Sequence, residues 1–189
     1  VKGIAEPEGD LYDAIVLDVD GTLVGSDKMI SDATRQAIIE AQKRGKTVAI
    51  ASGRSISGIR KTAAAIQLEQ FGGYVIAFNG TTVINCKTGE CIYNQTLDND
   101  MIKPVYEAAK EMQLGITVYH DEAKELLAGN GVDQYVEADA KACDIAIKEV
   151  PDLLRAIKFP VNKLLLSGEP EKMKEAERQL KERFGDKMR

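Results

Sequence analysis

The sequence has no tryptophan, one histidine and three cysteines in 189 residues. Three thiols, at positions 86, 91 and 143, are too few for a disulfide framework. Cys86 and Cys91 flank Lys87-Thr88-Gly89-Glu90, the tip of an expected hairpin. No second Cys or His pair accompanies them, so they read as two small residues on neighbouring strands rather than a metal or redox pair. A reducing cytoplasm is the compartment this composition leads one to expect. Basic residues are outnumbered, 25 against 30 acidic, for a net charge of −5. No basic excess draws the chain onto nucleic acid or an anionic membrane, and neither is expected as a partner. The longest apolar runs are Ala14 to Leu17, Val48 to Ala51 and Leu164 to Leu166. None approaches the ~20 residues of a membrane-spanning helix, and no signal-peptide pattern is visible. Five prolines and sixteen glycines exclude collagen-like and low-complexity sequence.

What is present is an ordinary globular composition, 44% hydrophobic and 29% charged. The length suits one large domain, or one domain and part of a second. Ala14-Ile15-Val16-Leu17 ends in Asp18 and predicts a strand buried on both faces. Ser31 caps an expected helix running to about Arg44, stopped at Gly45. Thr47 to Ala51 predicts a second strand, Ser55 to about Gln70 a second helix, and Tyr74 to Phe78 a third strand. This β-α-β-α-β order predicts a parallel sheet. After Asn79-Gly80 the pattern changes. A hairpin is expected over 81–97, then a helix from Asp100 to Gln113 with Pro104 in its first turn. Paired strands at 116–120 and 125–128, a helix from Asp133 to Ala142 and a strand at 162–167 follow. Pro170 opens a last helix that Gly185 stops. This half reads as a separate α+β lobe.

The strongest chemical signal is Asp18-Val19-Asp20-Gly21-Thr22-Leu23, directly after a strand. Residues two apart on extended chain point the same way, so Asp18 and Asp20 can converge at the carboxyl end of the sheet, where open α/β folds bind ligands. Gly21 lets the chain turn sharply. Two close carboxylates repel, and a shared proton or a hard cation such as Mg²⁺ relieves the repulsion. A solvated acidic turn is the plain alternative. An EF-hand loop fails, because Leu23 and Met29 stand where Gly and Glu are needed. A Walker A loop ending at Gly45-Lys46-Thr47 fails, because Glu40 stands at its leading glycine. The second signal is Ala51-Ser52-Gly53-Arg54-Ser55, between a strand and a helix. Backbone N–H groups, the Ser52 hydroxyl and the helix dipole would face an anion there. Arg54 offers a charge-assisted bond to a substrate oxygen. Simple capping by Ser52 or Ser55 is again the plain alternative. Adjacent parallel strands place Ser52 beside Asp18, and an anion site next to a carboxylate pair is a phosphoryl-transfer layout.

With Ile15 to Leu23, Ala51-Ser52-Gly53-Arg54 and Phe78-Asn79-Gly80 in place, the chain resembles the haloacid dehalogenase superfamily, specifically its Cof-type phosphatases. The resemblance covers the whole chain, and residues 1–80 carry most of its weight. It implies an α/β fold: a partial Rossmann-like parallel-sheet core at 1–80, with an inserted α+β cap domain at 81–189. It implies Asp18 as the nucleophile, forming an aspartyl-phosphate, and Asp20 as the group that protonates the leaving alcohol and then deprotonates water. It implies Mg²⁺ on the Asp18 carboxylate and the Asp20 backbone carbonyl. Gly21, Thr22, Ser52, Gly53, Arg54 and Asn79 are its implied phosphate- and substrate-binding residues.

The implied reaction is Mg²⁺-dependent hydrolysis of a small phosphomonoester, with sugar phosphates as the resemblance-based default. A phosphotransferase or mutase, or a non-catalytic binding fragment, are the alternatives. The family's third motif, a lysine beyond the cap, and its fourth, an acidic Gly-Asp turn, have no match here. The chain is therefore expected to be part of a longer protein, and inactive or nearly so by itself. A bare apolar edge is expected at Ala14 to Leu17, covered by a missing C-terminal core segment or a second chain. His120 reads as a surface-loop residue and Lys163 as part of a cap strand.

Overall fold

The structure is a computed structural model that describes residues 12–25, 28–122, 124–185 and 187. The chain divides into two compact units, Val1–Asn94 and Gln95–Arg189.

The first unit begins with β1 (Ala14–Asp18), α1 (Asp32–Lys43), β2 (Thr47–Ala51), α2 (Ile56–Ala65), α3 (Leu68–Phe71) and β3 (Tyr74–Ala77). Two more strands, β4 (Thr82–Asn85) and β5 (Cys91–Asn94), complete it. The sheet order is β1-β2-β3-β4-β5. The first three strands are parallel, and the hairpin adds antiparallel to β3. That hairpin is where the architecture departs from the expected division. The turn after β3 hands the chain back to the same sheet, so the first compact unit runs through Asn94 rather than ending at residue 80.

The helices start where the sequence supplies caps. Ser31 Oγ accepts from the Thr34 amide at 3.1 Å, and Ser55 Oγ accepts from the Gly58 amide at 3.1 Å. The second helix is broken, not continuous to Gln70. Gln67 takes a left-handed φ of 60°, and buried Gln42 donates from Nε2 to the Ile66 carbonyl at 2.7 Å. A tertiary hydrogen bond thus takes the carbonyl that a continuing helix would use. Ile50, Ile59, Ile66 and Leu68 are fully buried between sheet and helices. Each contributes roughly 1.5–3 kcal/mol by leaving water.

β1 is not buried on both faces. Among the described residues it has only β2 as a neighbour, and its burial alternates. Ile15 and Leu17 are half-buried, and Val16 is 61% exposed. An edge strand with one covered face gives this pattern.

The second unit contains α4 (Asn99–Glu111), β6 (Gly115–His120), β7 (Glu125–Gly129), α5 (Gln134–Cys143), β8 (Ala146–Glu149), α6 (Leu153–Ala156), β9 (Leu164–Ser167) and α7 (Pro170–Phe184). Its four-stranded sheet has the order β8-β7-β6-β9. Only β7 and β8 run parallel. Val105, Ala109, Ile116, Val118, Leu153 and Ala176 form its own core. Pro104 lies in the second turn of α4, not the first; the carbonyl four residues back belongs to exposed Asp100, which water can serve. Asp133 caps α5 through two amides and accepts from Ser167 Oγ at 2.8 Å, tying the helix to β9. The Tyr119 hydroxyl donates to Asp139 at 2.6 Å; burial, and then this carboxylate, push the phenol above its ordinary range. His120 is not a free loop residue: its ring stacks on Phe159, with centroids 3.9 Å apart. Among the described residues no helix is long and apolar enough to cross a membrane. The architecture is the expected α/β class, a parallel-strand core followed by an α+β lobe.

Candidate active site

The register of the first sheet sets the site. Asp18 pairs with Ala51 across β1 and β2, and Ala51 with Ile76 across β2 and β3. The three parallel strands therefore end level. The segments that leave them, from Val19, Ser52 and Phe78 onward, form one rim.

The first segment is a tight turn. Leu23 and Val24 both donate their amides to the Val19 carbonyl, at 3.0 and 2.9 Å, and the Gly21 amide donates to the Val24 carbonyl at 3.2 Å. Gly21 has a φ of 78°, which a side chain would resist. Val19, Leu23 and Val24 anchor the turn in the core, while Asp18, Asp20, Gly21 and Thr22 stay exposed. The two aspartates thus share the exposed side, with the fully buried Val19 between them.

The second and third segments are stitched together. The Asn79 amide donates to the Ser52 carbonyl at 3.1 Å, and the Phe78 amide to the Arg54 carbonyl at 3.0 Å. Phe78, Asn79 and Gly80 carry consecutive positive φ values of 50°, 58° and 96°. Strained backbone of this kind concentrates at functional loops. Gly53 leaves room for Asn79: a Cβ there would lie 2.6 Å from Asn79 Oδ1. Ser52 is buried, and its Oγ accepts from the Arg54 amide at 3.2 Å, so its hydroxyl proton remains available to a ligand. Capping of α2 falls to Ser55 instead.

Arg54 joins the rim to the first segment. Its Nε donates to Asp20 Oδ2 at 2.8 Å and its Nη2 to Asp20 Oδ1 at 2.7 Å, a two-pronged pair. Its Nη1 holds the Gly58 carbonyl at 3.3 Å. The sequence points Arg54 at a substrate oxygen; here Asp20 occupies its guanidinium. Lys28, absent from the candidate residues of the sequence, adds a third charged bond, Nζ to Asp20 Oδ1 at 2.8 Å. No periodicity or motif marks Lys28, since only the fold of the loop after the turn brings it back. Arg54's hydrogen bonds, with help from Lys28, hold the Asp20 carboxyl down to about 2 against an ordinary 3.8, outweighing the opposing effect of partial burial.

Asp18 differs. Among the described residues nothing donates to its side chain, so its carboxylate is exposed and unengaged. No group of three or more His, Cys, Asp and Glu side chains gathers for a metal among the described residues. Two hard oxygens remain: the Asp18 carboxylate, and the Asp20 carbonyl, which the turn's backbone hydrogen bonds leave out. Mg²⁺ keeps several waters and takes one or two protein oxygens beside those of a phosphate, so this donor set fits it. The Asp20 side chain, held by two cations, is not part of that set. The second unit has an open cavity of about 790 Å³ lined by Leu97, Ile102, Lys103, Lys158 and Phe159 among others. It contains none of the residues that the sequence singles out.

Comparison with known proteins bears on the family and the fold. A haloacid dehalogenase-like hydrolase from Bacteroides thetaiotaomicron has a similar crystal structure, with a TM-score of 0.84 and 36% identity over 91% of this chain and 64% of that one. The Streptococcus pyogenes protein M6_Spy0533 is 29% identical over 92% of this chain and 64% of its own length. An HMP-PP phosphatase of Cronobacter sakazakii is 31% identical over 55% of this chain and 37% of its own. This chain thus spans under two thirds of the length of these relatives. The family described as haloacid dehalogenase-like hydrolase matches residues 15–189, and the chain belongs to that family.

Proposed function

We propose that the protein hydrolyses small phosphomonoesters, sugar phosphates foremost, with Mg²⁺ and through an aspartyl-phosphate on Asp18. The observation that carries this reading is the unengaged Asp18 carboxylate at the level end of three parallel strands, beside an Asp20 held by Arg54 and a buried Ser52. Asp18 attacks phosphorus and the P–O bond to the alcohol breaks. The leaving oxygen takes a proton from Asp20. Water then attacks the acyl phosphate, giving its proton to Asp20 and releasing inorganic phosphate. Clamped by Arg54 and Lys28, Asp20 is ionised at neutral pH and set to accept that proton. For the first step Asp20 must first take up a proton from solvent, and a phosphate dianion that competes for Arg54 loosens the clamp that opposes this. The Ser52 hydroxyl and the Gly53 amide face phosphoryl oxygens in this reading, and Gly21, Thr22 and Asn79 form its margin. Mg²⁺ on the Asp18 carboxylate and the Asp20 carbonyl supplies positive charge that offsets repulsion between nucleophile and substrate.

The relatives' names support phosphatase chemistry: one of them is an HMP-PP phosphatase. Three cysteines outside any disulfide support a reducing cytoplasm as the compartment. We assign the open edge of β1 to a further strand, from a C-terminal core segment or a second chain. With two protein oxygens for the metal, we expect slow turnover by these 189 residues alone.

The test combines trapping with turnover. Beryllofluoride with Mg²⁺ should give a bound ¹⁹F NMR signal that Asp18→Asn abolishes. Phosphate release from p-nitrophenyl phosphate should fall at least a hundredfold in the same variant. A bound signal that survives the substitution would remove Asp18 as nucleophile.

A further inference from the structure

We propose that Lys28 is a positioning residue for Asp20: it fills the second acceptor site of Oδ1 and so leaves Oδ2 as the one oxygen open to proton exchange. The inference rests on the reading of Asp20 as the proton-transfer group. A carboxylate offers about four acceptor sites, two on each oxygen. Asp20 Oδ1 receives Arg54 Nη2 at 2.7 Å and Lys28 Nζ at 2.8 Å, and is full. Among the described residues Oδ2 receives only Arg54 Nε, at 2.8 Å, and keeps one site. The side chain of Asp20 is 43% exposed, so the open site can be reached.

Arg54 alone does not decide the matter. Its fork fixes the plane of the carboxylate but contributes one donor to each oxygen, leaving the two equivalent. Lys28 breaks that symmetry. The loop that carries it is closed by backbone bonds from the Lys28 amide to the Gly25 carbonyl at 3.0 Å and from the Gly25 amide to the Met29 carbonyl at 3.3 Å. Lys28 itself sits at a φ of 60°. An ordinary exposed lysine gains little from an ion pair and has no need of such a backbone. Asp20 is also the only ion-pair partner that the described residues give Lys28.

The test compares Lys28→Met with Lys28→Arg. In a crystal structure of Lys28→Met, the Asp20 carboxylate should occupy more than one orientation, while the turn from Val19 to Val24 is unchanged. In steady-state assays kcat should fall by roughly tenfold, with KM within about twofold of wild type. Lys28→Arg should restore both readouts, because a guanidinium N–H supplies the missing donor. A single, wild-type orientation of Asp20 in Lys28→Met overturns the proposal, as does a loss confined to KM. The Asp18→Asn control separates the two ideas. Turnover surviving that change defeats the reading of Asp18 as nucleophile, whereas the crystallographic comparison judges Lys28 without any turnover.

Discussion

The decisive residue-scale fact is the difference between two aspartates on the same exposed side. Among the described residues nothing engages the Asp18 side chain, and Asp20 carries three charged hydrogen bonds. A nucleophile must keep its oxygens free, and a proton-transfer group must be aimed, so the environments suit different roles. The clamp on Asp20 has a thermodynamic consequence whose sign is fixed. Its carboxyl titrates at about 2 in the fold and near its ordinary 3.8 when unfolded. Native Asp20 thus binds its proton more weakly, and the pair stabilises the fold above pH ~3.8 and loses this effect as pH falls through about 2. With the side chain 43% exposed, screening keeps the contribution to about 1 kcal/mol or less. Arg54→Met should therefore melt below wild type at pH 6, and the gap should close progressively between pH 4 and pH 2. A gap that stays constant across a calorimetric pH series would show that Arg54 stabilises by packing instead. Much of this site was legible in the sequence. Asp18, Asp20, Ser52 and Arg54 follow from strand ends and turn chemistry, which are local properties. Lys28 was not legible, because its partner is chosen by a loop closure that no pattern announces.

At the scale of elements, the readable parts were those with periodicity or punctuation. α1, α7 and α5 have caps and stops in the sequence, and β2, β3, β6 and β7 are apolar runs between turn residues. The elements that escaped are short. β8 and α6 have four residues each, too few for a period to show. The break between α2 and α3 escaped for a different reason: Gln42, distant in sequence, takes the Ile66 carbonyl. The hairpin of β4 and β5 was foreseen as a hairpin, but its membership of the first sheet depends on pairing with β3. Entry into β3 depends on Gly73 for a steric reason. A Cβ there would sit 2.5 Å from the Val48 carbonyl oxygen and 2.5 Å from Leu68 Cδ2. One obstacle is backbone of β2 and cannot swing aside. Gly73→Ala should thus cost about 1–3 kcal/mol, read as a lower urea midpoint with unchanged slope. An unaltered midpoint would mean that β2 and β3 separate more readily than their shared register implies.

At the scale of the whole molecule, net charge and edges govern what the protein meets. A chain with net charge −5 does not attract a phosphate ester by its overall field. In the proposed reading, attraction comes locally, from Arg54 and Lys28 on the rim of the first sheet. The opposite problem arises along β1. Its edge has no pairing strand among the described residues, and Val16 projects from it 61% exposed. Natural edges are blunted by charge, proline or a bulge, and the Ala14 to Leu17 run has none of these. Backbone N–H and C=O groups in register, with an apolar side chain beside them, invite another strand. The purified 189-residue chain should therefore self-associate with rising concentration in sedimentation equilibrium. Val16→Lys should suppress that association, because a flexible charge on the exposed face resists burial against a second sheet. The same change should leave the free energy of urea unfolding within about 0.5 kcal/mol of wild type, since Val16 contributes little to the core. Association that persists in Val16→Lys would place the sticky surface elsewhere, and a wild-type chain monomeric at millimolar concentration would show that β1 needs no neighbour.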